Sequence, residues 1–204
     1  MNLEQECSAM QPYLAATAGV DCEDERICHL TERLFQNTMS QLQVIATAFA
    51  FVRDEISHSA DSGGRVVTKR ASEVLRYRDA MCYGKTLLLA ALLRHKEIPT
   101  GFCYQRLRGD DGRHMIHAVN AVYLADEGIW VRMDPRGGEK GGHLDFDTEN
   151  PEQELLVYHV DAQAGEMDYP MVYAEHPASV MVALHASEDA QVGNGAVFTR
   201  TTIG

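Results

Sequence analysis

The pattern of apolar positions changes character near residue 100. Upstream of it, Ile27, Leu30 and Leu34 recur at helical spacing, and the segment 41–56 carries a second apolar face with the same period. The segment 82–95 is apolar almost all round, which is typical of a helix enclosed by the rest of the protein. The N-terminal part of the chain is therefore predicted to be helical and to be followed by one buried central helix.

Downstream, three short segments have the composition of β-strands and are separated by polar turns. Strands are predicted over 101–107, 115–124 and 129–134, with turns rich in glycine and acidic residues at 109–112 and 126–128. Consecutive strands joined by short turns form an antiparallel meander. A buried helix that precedes such a meander indicates an α+β fold in which the helix packs on the sheet.

The remaining segments complete the predicted organisation. Residues 155–160 are predicted as a further strand, and residues 178–186 as a C-terminal helix. We divide the chain into a helical arm over 1–60 that packs on the core, a core over 61–186, and a loosely ordered tail over 187–204, where small and polar residues prevail.

The net charge of the chain indicates which classes of molecule it can bind. The 204-residue chain carries 30 acidic and 18 basic residues, which give a formal net charge of −12. An acidic surface repels phosphate backbones, so nucleic acid is not expected as a partner. A neutral or cationic substrate is favoured instead.

The cysteines indicate a reducing compartment, and the short apolar runs indicate neither a secretory signal nor a membrane-spanning helix. The five cysteines are odd in number and form neither a CxxC zinc pattern nor a disulfide framework: Cys7, Cys22, Cys28, Cys82 and Cys103. The first six residues are acidic and lack the apolar run of a secretory signal. The longest apolar run, 87–93, is far shorter than the roughly 20 residues of a membrane-spanning helix. The prediction is a cytoplasmic protein that has no membrane partner.

Cys82 is the first candidate for chemistry. It lies where the polar segment 76–81 gives way to the predicted buried helix, and so in the N-terminal turn of that helix. Unpaired N–H groups and the positive end of the helix dipole favour a thiolate there, and they can also bind an anionic acyl intermediate. A buried and unreactive thiol is nevertheless the more common role of a cysteine, so the position alone does not establish a nucleophile.

A histidine and an aspartate on consecutive predicted strands supply the other groups that a thiol active site needs. His117 lies within an otherwise apolar strand, and Asp134 ends the next strand, from where a carboxylate can reach a neighbouring imidazole. Taken singly, a core histidine and an ordinary turn aspartate are the more common roles. The ordered set predicts Cys82 as nucleophile, His117 as base and Asp134 as the group that orients the base. Asn120, on the opposite strand face, is a weaker alternative to Asp134 as the orienting group.

At these residues the chain resembles the bacterial transglutaminase-like proteins. The segment 82–86 (CYGKT) is similar to their cysteine helix, 117–121 (HAVNA) to their histidine strand, and 134–137 (DPRG) to their aspartate motif. Weaker similarity extends over most of the chain, from about residue 11 to about residue 184. The resemblance implies a papain-like α+β core and acyl-transfer chemistry at a thiol. We expect a peptide or protein substrate, and we expect no cofactor because the sequence has no acidic calcium loop of the EF-hand type.

Several alternatives stay open at this level. Either water or an amine can resolve the acyl intermediate, which separates a peptidase or amidase from a transglutaminase. A non-catalytic interaction module with the same fold is a further alternative, and a metal site that uses His114 and His117 is a weaker one. His58, Tyr77 and Tyr83 are all possible donors to the transition state, and sequence does not choose among them.

Overall fold

The computed structural model describes residues 1–109, 111–137 and 144–191. Its helices are α1 (Glu25–Leu34), α2 (Gln41–Glu55), α3 (Ser59–Ser62), α4 (Ala71–Tyr77), α5 (Cys82–His95) and α6 (Ala178–Ala186). Its strands are β1 (Glu4–Gln5), β2 (Ser57–His58), β3 (Asp79–Ala80), β4 (Thr100–Arg108), β5 (His114–Leu124), β6 (Ile129–Met133), β7 (Met167–Asp168) and β8 (Met171–Val172).

Local sequence explains where the long helix α2 begins. Helix α2 opens on a capping box, in which the Ser40 hydroxyl accepts a hydrogen bond from the Gln43 N–H and the Gln43 side chain accepts one from the Ser40 N–H. These two bonds satisfy N–H groups that the first turn of a helix leaves without partners. The apolar face of α2 then packs against α5.

Helix α5 is the centre of the molecule. Every residue from Cys82 to Arg94 is buried, because α1, α2 and α4 cover the helix on one side and β4 and β5 on the other. A helix that is enclosed all round needs an apolar surface all round, which is the pattern of the segment Leu87–Leu93. Glu97 adopts a positive φ of 57° at the turn that follows the helix and leads into β4.

The main sheet has the strand order β6-β5-β4-β7, and every neighbouring pair is antiparallel. His117 on β5 lies opposite Gln105 on β4, and Asn120 on β5 lies opposite Met133 on β6. Two short parallel pairs, β1 with β8 and β2 with β3, lie outside this sheet. The β2–β3 pair places His58 opposite Ala80, just before α5 begins.

The predicted α+β class is confirmed, as is a buried central helix packed on an antiparallel sheet. The predicted strand at 155–160 is wrong. Leu155 alone pairs, in an isolated parallel bridge to Met133, and the chain then leaves the sheet edge so that Tyr158 packs on His117. Apolar composition favoured a strand here, but only Leu155 pairs with the sheet.

The division into arm, core and tail stays a prediction. The beginning of the predicted tail makes specific contacts, because the Ala190 N–H donates to the Arg65 carbonyl and the Gln191 side chain donates to the carbonyls of Ser59 and Gly64. The rest of the predicted tail, 192–204, lies outside the described residues.

Candidate active site

The N-terminus of α5 opens into a small pocket. Cys82, the first residue of the helix, is 9% exposed and lines this cavity of about 130 Å³ together with His117. Met81, which caps the helix, offers no side-chain hydrogen bond, so no capping side chain occupies the N–H groups of the first turn. The thiol therefore lies at the positive end of a helix and beside a cavity that can admit a reacting group.

His117 and Asp134 form a buried pair beside this thiol. The imidazole Nε2 lies 2.7 Å from the Asp134 Oδ2, and the side chains are 6% and 1% exposed. The other carboxylate oxygen, Oδ1, accepts a hydrogen bond of 3.0 Å from the Arg136 N–H. Both oxygens of Asp134 are thus held, which fixes the direction from which the carboxylate meets the imidazole.

The charge state of His117 follows from its neighbours. Burial disfavours the imidazolium, but the charge and hydrogen bond of Asp134, together with the nearby Cys82, outweigh burial and raise the pKa of His117 to about 10. Because Nε2 is engaged by Asp134, Nδ1 is the ring nitrogen left to meet the thiol. The arrangement can hold a proton between sulfur and imidazole and return it to a leaving group.

Asn120 and His114, the weaker candidates from the sequence, make other contacts. The Asn120 side chain donates to the carbonyls of Thr86 and Gly101, which makes it a bridge between α5 and the sheet. The His114 Nε2 lies 3.2 Å from the Ala164 carbonyl oxygen. Among the residues that the structure describes, no group of three or more His, Cys, Asp or Glu side chains is arranged to hold a metal ion.

The three possible transition-state donors separate clearly in space. Tyr77 is 46% exposed, away from the pocket. Tyr83 lines the pocket, but its hydroxyl donates to the Ile116 carbonyl at 2.5 Å. His58 also lines the pocket and is 7% exposed.

Lys85 is a supporting residue whose role sequence reasoning missed. Its side chain is fully buried, and Nζ donates to the carbonyls of Ile56 at 2.6 Å, Arg136 at 2.7 Å and Arg53 at 3.3 Å. Burial lowers the pKa of Lys85 to about 7, against the opposing charge of Asp134. A lysine in the first turn of a helix that is otherwise largely apolar was the signal that could have revealed this role.

Tyr158 was also missed, and it forms one wall of the pocket. Its ring meets the His117 imidazole edge-on, with a centroid distance of 5.1 Å. The Gln105 side chain donates to the Tyr158 carbonyl at 3.1 Å and so fixes this segment to β4. Arg136 lies on the same pocket, where its guanidinium forms two 3.0 Å hydrogen bonds with the Asp61 carboxylate. Apolar side chains complete the wall: Leu107, Met115 and Ile116.

Comparison with known proteins places this chain in a family. A sequence profile of the transglutaminase-like superfamily matches residues 29–135, slightly more than half of the chain, and the match includes Cys82, His117 and Asp134. No curated protein sequence is significantly similar to the chain. None of the helices in the described ranges is long and apolar enough to cross a membrane.

A solved structure shares the fold. The crystal structure of a candidate cysteine protease from Cytophaga hutchinsonii superposes with a TM-score of 0.52 at 17% sequence identity. The similarity covers 64% of this chain and 43% of that protein, so this chain corresponds to less than half of its relative's length. On the profile match and the shared fold, the chain belongs to the transglutaminase-like superfamily.

Proposed function

We propose that this protein is a thiol acyl-transfer enzyme of the peptidase or amidase type, with Cys82 as nucleophile, His117 as base and Asp134 as the residue that orients the base. The observation that carries the proposal is the 2.7 Å contact between Asp134 Oδ2 and His117 Nε2, made by a histidine that lines the same pocket as the Cys82 thiol. A nucleophile, a base and a third group that fixes the base are the parts that thiol catalysis requires.

The reaction follows from the protonation states. With the imidazole of His117 protonated, the Cys82 sulfur attacks the carbonyl carbon of a peptide or carboxamide as a thiolate, and the carbonyl electron pair moves to oxygen. His117 then transfers its proton to the leaving nitrogen as the C–N bond breaks, which leaves an acyl thioester on Cys82. Water, deprotonated by His117, attacks the thioester carbonyl carbon. The C–S bond then breaks, the acyl group leaves as a carboxylic acid, and His117 returns the proton to the Cys82 sulfur.

The acceptor in the second step separates the two related activities. Water as acceptor gives a peptidase or amidase, whereas a primary amine gives a transglutaminase. The first step, formation of the thioester, is common to both and depends on the same three residues. We propose water as the acceptor by analogy of fold with the candidate cysteine protease.

The first step can be tested directly with an activated ester. Brief exposure of the protein to p-nitrophenyl acetate, followed by peptide mass spectrometry, should show an acetyl group on Cys82 while Cys103 stays unmodified. Cys103 is the matched control because it is a second buried thiol, which lies within β4 with no exposed surface. Acetylation of both thiols at the same rate, or of neither, would contradict the proposal.

The acceptor is tested on the same acyl-enzyme. Adding a fluorescent primary amine at increasing concentration measures whether the acetyl group passes to the amine or is lost to water. We expect hydrolysis to dominate and the yield of amide product to stay small. Efficient amine capture at low concentration would assign the transglutaminase activity instead, and the Cys82→Ala variant, which cannot form the thioester, provides the background for both measurements.

A further inference from the structure

His58 lies beside the nucleophile although it is distant in sequence. The β2–β3 pair sets His58 opposite Ala80, two residues before Cys82. The His58 side chain is 7% exposed, and it lines the same cavity as Cys82 and His117. The fold therefore brings a second histidine to the pocket, in addition to the one that pairs with Asp134.

One ring nitrogen of His58 is engaged in a way that fixes its tautomer. His58 is the N-cap of α3, and its Nδ1 accepts a hydrogen bond of 3.2 Å from the Ala60 N–H. A nitrogen that accepts a hydrogen bond carries no proton, so the proton of the neutral ring lies on Nε2. His58 therefore presents an N–H donor at the far end of its ring.

That donor reaches the pocket. In the described part of the chain, Nε2 of His58 has no hydrogen-bond partner. Nε2 is also not fully buried, and the ring lines the cavity. An N–H group in this position can donate to an atom that enters the pocket beside Cys82.

The surrounding charges keep this ring neutral. Burial, followed by the positive charges of Arg136, His117 and Lys85, lowers the pKa of His58 to about 3, while Asp61 opposes the shift. Positive charge that disfavours an imidazolium also favours an anion at the same place. A neutral histidine among cations is suited to donate a hydrogen bond to negative charge that develops on a carbonyl oxygen.

We propose that the Nε2–H of His58 and the backbone N–H of Cys82 together form the oxyanion hole of this enzyme. The inference rests on the proposed function and adds a catalytic residue to it. When the Cys82 sulfur bonds to the carbonyl carbon, the π electron pair moves to oxygen, and this oxygen accepts hydrogen bonds from both donors. The pair returns to the carbonyl as the C–N bond breaks and His117 protonates the leaving nitrogen.

Two reagents that react at the same sulfur test the inference. Acylation by p-nitrophenyl acetate passes through a tetrahedral oxyanion, whereas alkylation by iodoacetamide displaces iodide at a saturated carbon and forms no oxyanion. Loss of an oxyanion donor costs on the order of 10²- to 10³-fold in rate. We expect the His58→Asn variant to acylate about 10²-fold more slowly than the wild type and to alkylate within about twofold of it.

Two substitutions of His58 separate the loss of its Nε2–H donor from the loss of the N-cap of α3. Asparagine is a good N-cap, so His58→Asn keeps an acceptor for the Ala60 N–H but loses the distal donor. Glutamine places an amide N–H farther out, so His58→Gln should recover part of the acylation rate while it weakens the cap. His185→Gln, on an exposed face of α6, is the control and should change neither rate.

Each outcome decides between distinct conclusions. Unchanged acylation in His58→Asn overturns the inference. An equal loss of acylation and alkylation also overturns it, because His58 would then support the Cys82–His117 pair and not the oxyanion. If alkylation of the wild-type protein is no faster at Cys82 than at Cys103, the proposed function itself fails, and this result does not depend on any His58 variant.

Discussion

Asp134 shows how much a single side chain contributes to this site. One carboxylate oxygen meets His117 and the other is held by the Arg136 N–H, so the group has almost no freedom to turn away. Its negative charge raises the pKa of His117, against the effect of burial. Position and charge are therefore two separable contributions of the same residue.

Replacing Asp134 by asparagine removes the charge and keeps the shape. The pKa of His117 should fall from about 10 towards its ordinary value, because burial still disfavours the imidazolium. Imidazolium is then lost nearer to neutral pH, and the rate of Cys82 alkylation at neutral pH should fall by about 10²-fold or more.

The measurement is the second-order rate constant for iodoacetamide as a function of pH. The Asp126→Asn variant, at an exposed turn, is the matched control and should keep the wild-type profile. An Asp134→Asn profile identical to that of the wild type would show that the charge of Asp134 does not act on His117.

At the scale of elements, the site depends on how closely the start of α5 approaches its neighbours. Lys85 ties the C-terminal end of α2 and the loop after β6 to α5 through three backbone carbonyls. On another face of α5, Gly84 allows Thr68 and Ala80 to approach the helix closely. A Cβ placed on Gly84 would lie 2.5 Å from the Thr68 Oγ1 and 2.8 Å from the Ala80 Cβ. Both residues hold Cys82 at a fixed distance from β3 and from the Asp134 loop.

The Gly84→Ala variant tests this close approach. In an open helix the change would stabilise by about 1 kcal/mol, because alanine is the better helix former. Here we expect the free energy of unfolding to decrease by about 1–3 kcal/mol, because the added methyl group overlaps two neighbours. Urea denaturation followed by circular dichroism measures the change, and a stabilised variant would show that α5 is not held as closely as described.

Sequence reasoning located the elements well where the pattern is local. The apolar pattern of 82–95 predicted a helix with the bounds that α5 has, and the predicted reach of Asp134 to His117 from the next strand agrees with their 2.7 Å contact. It did not find Tyr158 or choose His58, because both reach the pocket through pairings between segments far apart in the chain.

At the scale of the whole molecule, two histidines in the described part of the core are neutral when the protein is folded. Burial makes the largest contribution for each and lowers the pKa of His58 and of His176 to about 3. His176 is held by the Tyr104 hydroxyl at 2.6 Å and by the Tyr83 carbonyl at 3.3 Å, beneath α5. In the unfolded chain both groups regain an ordinary pKa near 6.5.

These two histidines should make the protein sensitive to acid. Between about pH 6.5 and pH 3 the unfolded chain binds more protons than the folded one, so the free energy of unfolding falls as the pH drops. The stabilisation is complete above pH 6.5 and is lost progressively below it. Carboxylates titrate mainly below about pH 5, so the histidine contribution is measured best between pH 6.5 and pH 5.

Urea midpoints across this interval test the prediction. The His176→Gln variant should be less stable at neutral pH but should lose stability less steeply as the pH falls. His185→Gln, with an exposed side chain, should keep the wild-type slope. Equal slopes for all three proteins would contradict the assignment of His176 as a buried neutral group.

The central claim is that Cys82 is an activated thiol, and competitive labelling tests it most directly. Limiting iodoacetamide at mildly acidic pH, followed by peptide mass spectrometry, gives the relative rates at Cys82 and Cys103 in one sample. Burial raises the pKa of Cys103 to about 12, whereas Cys82 meets the His117 imidazole, so we predict that Cys82 labels at least about 10²-fold faster. If Cys82 labels no faster than Cys103, the account of this site as a thiol active site is wrong.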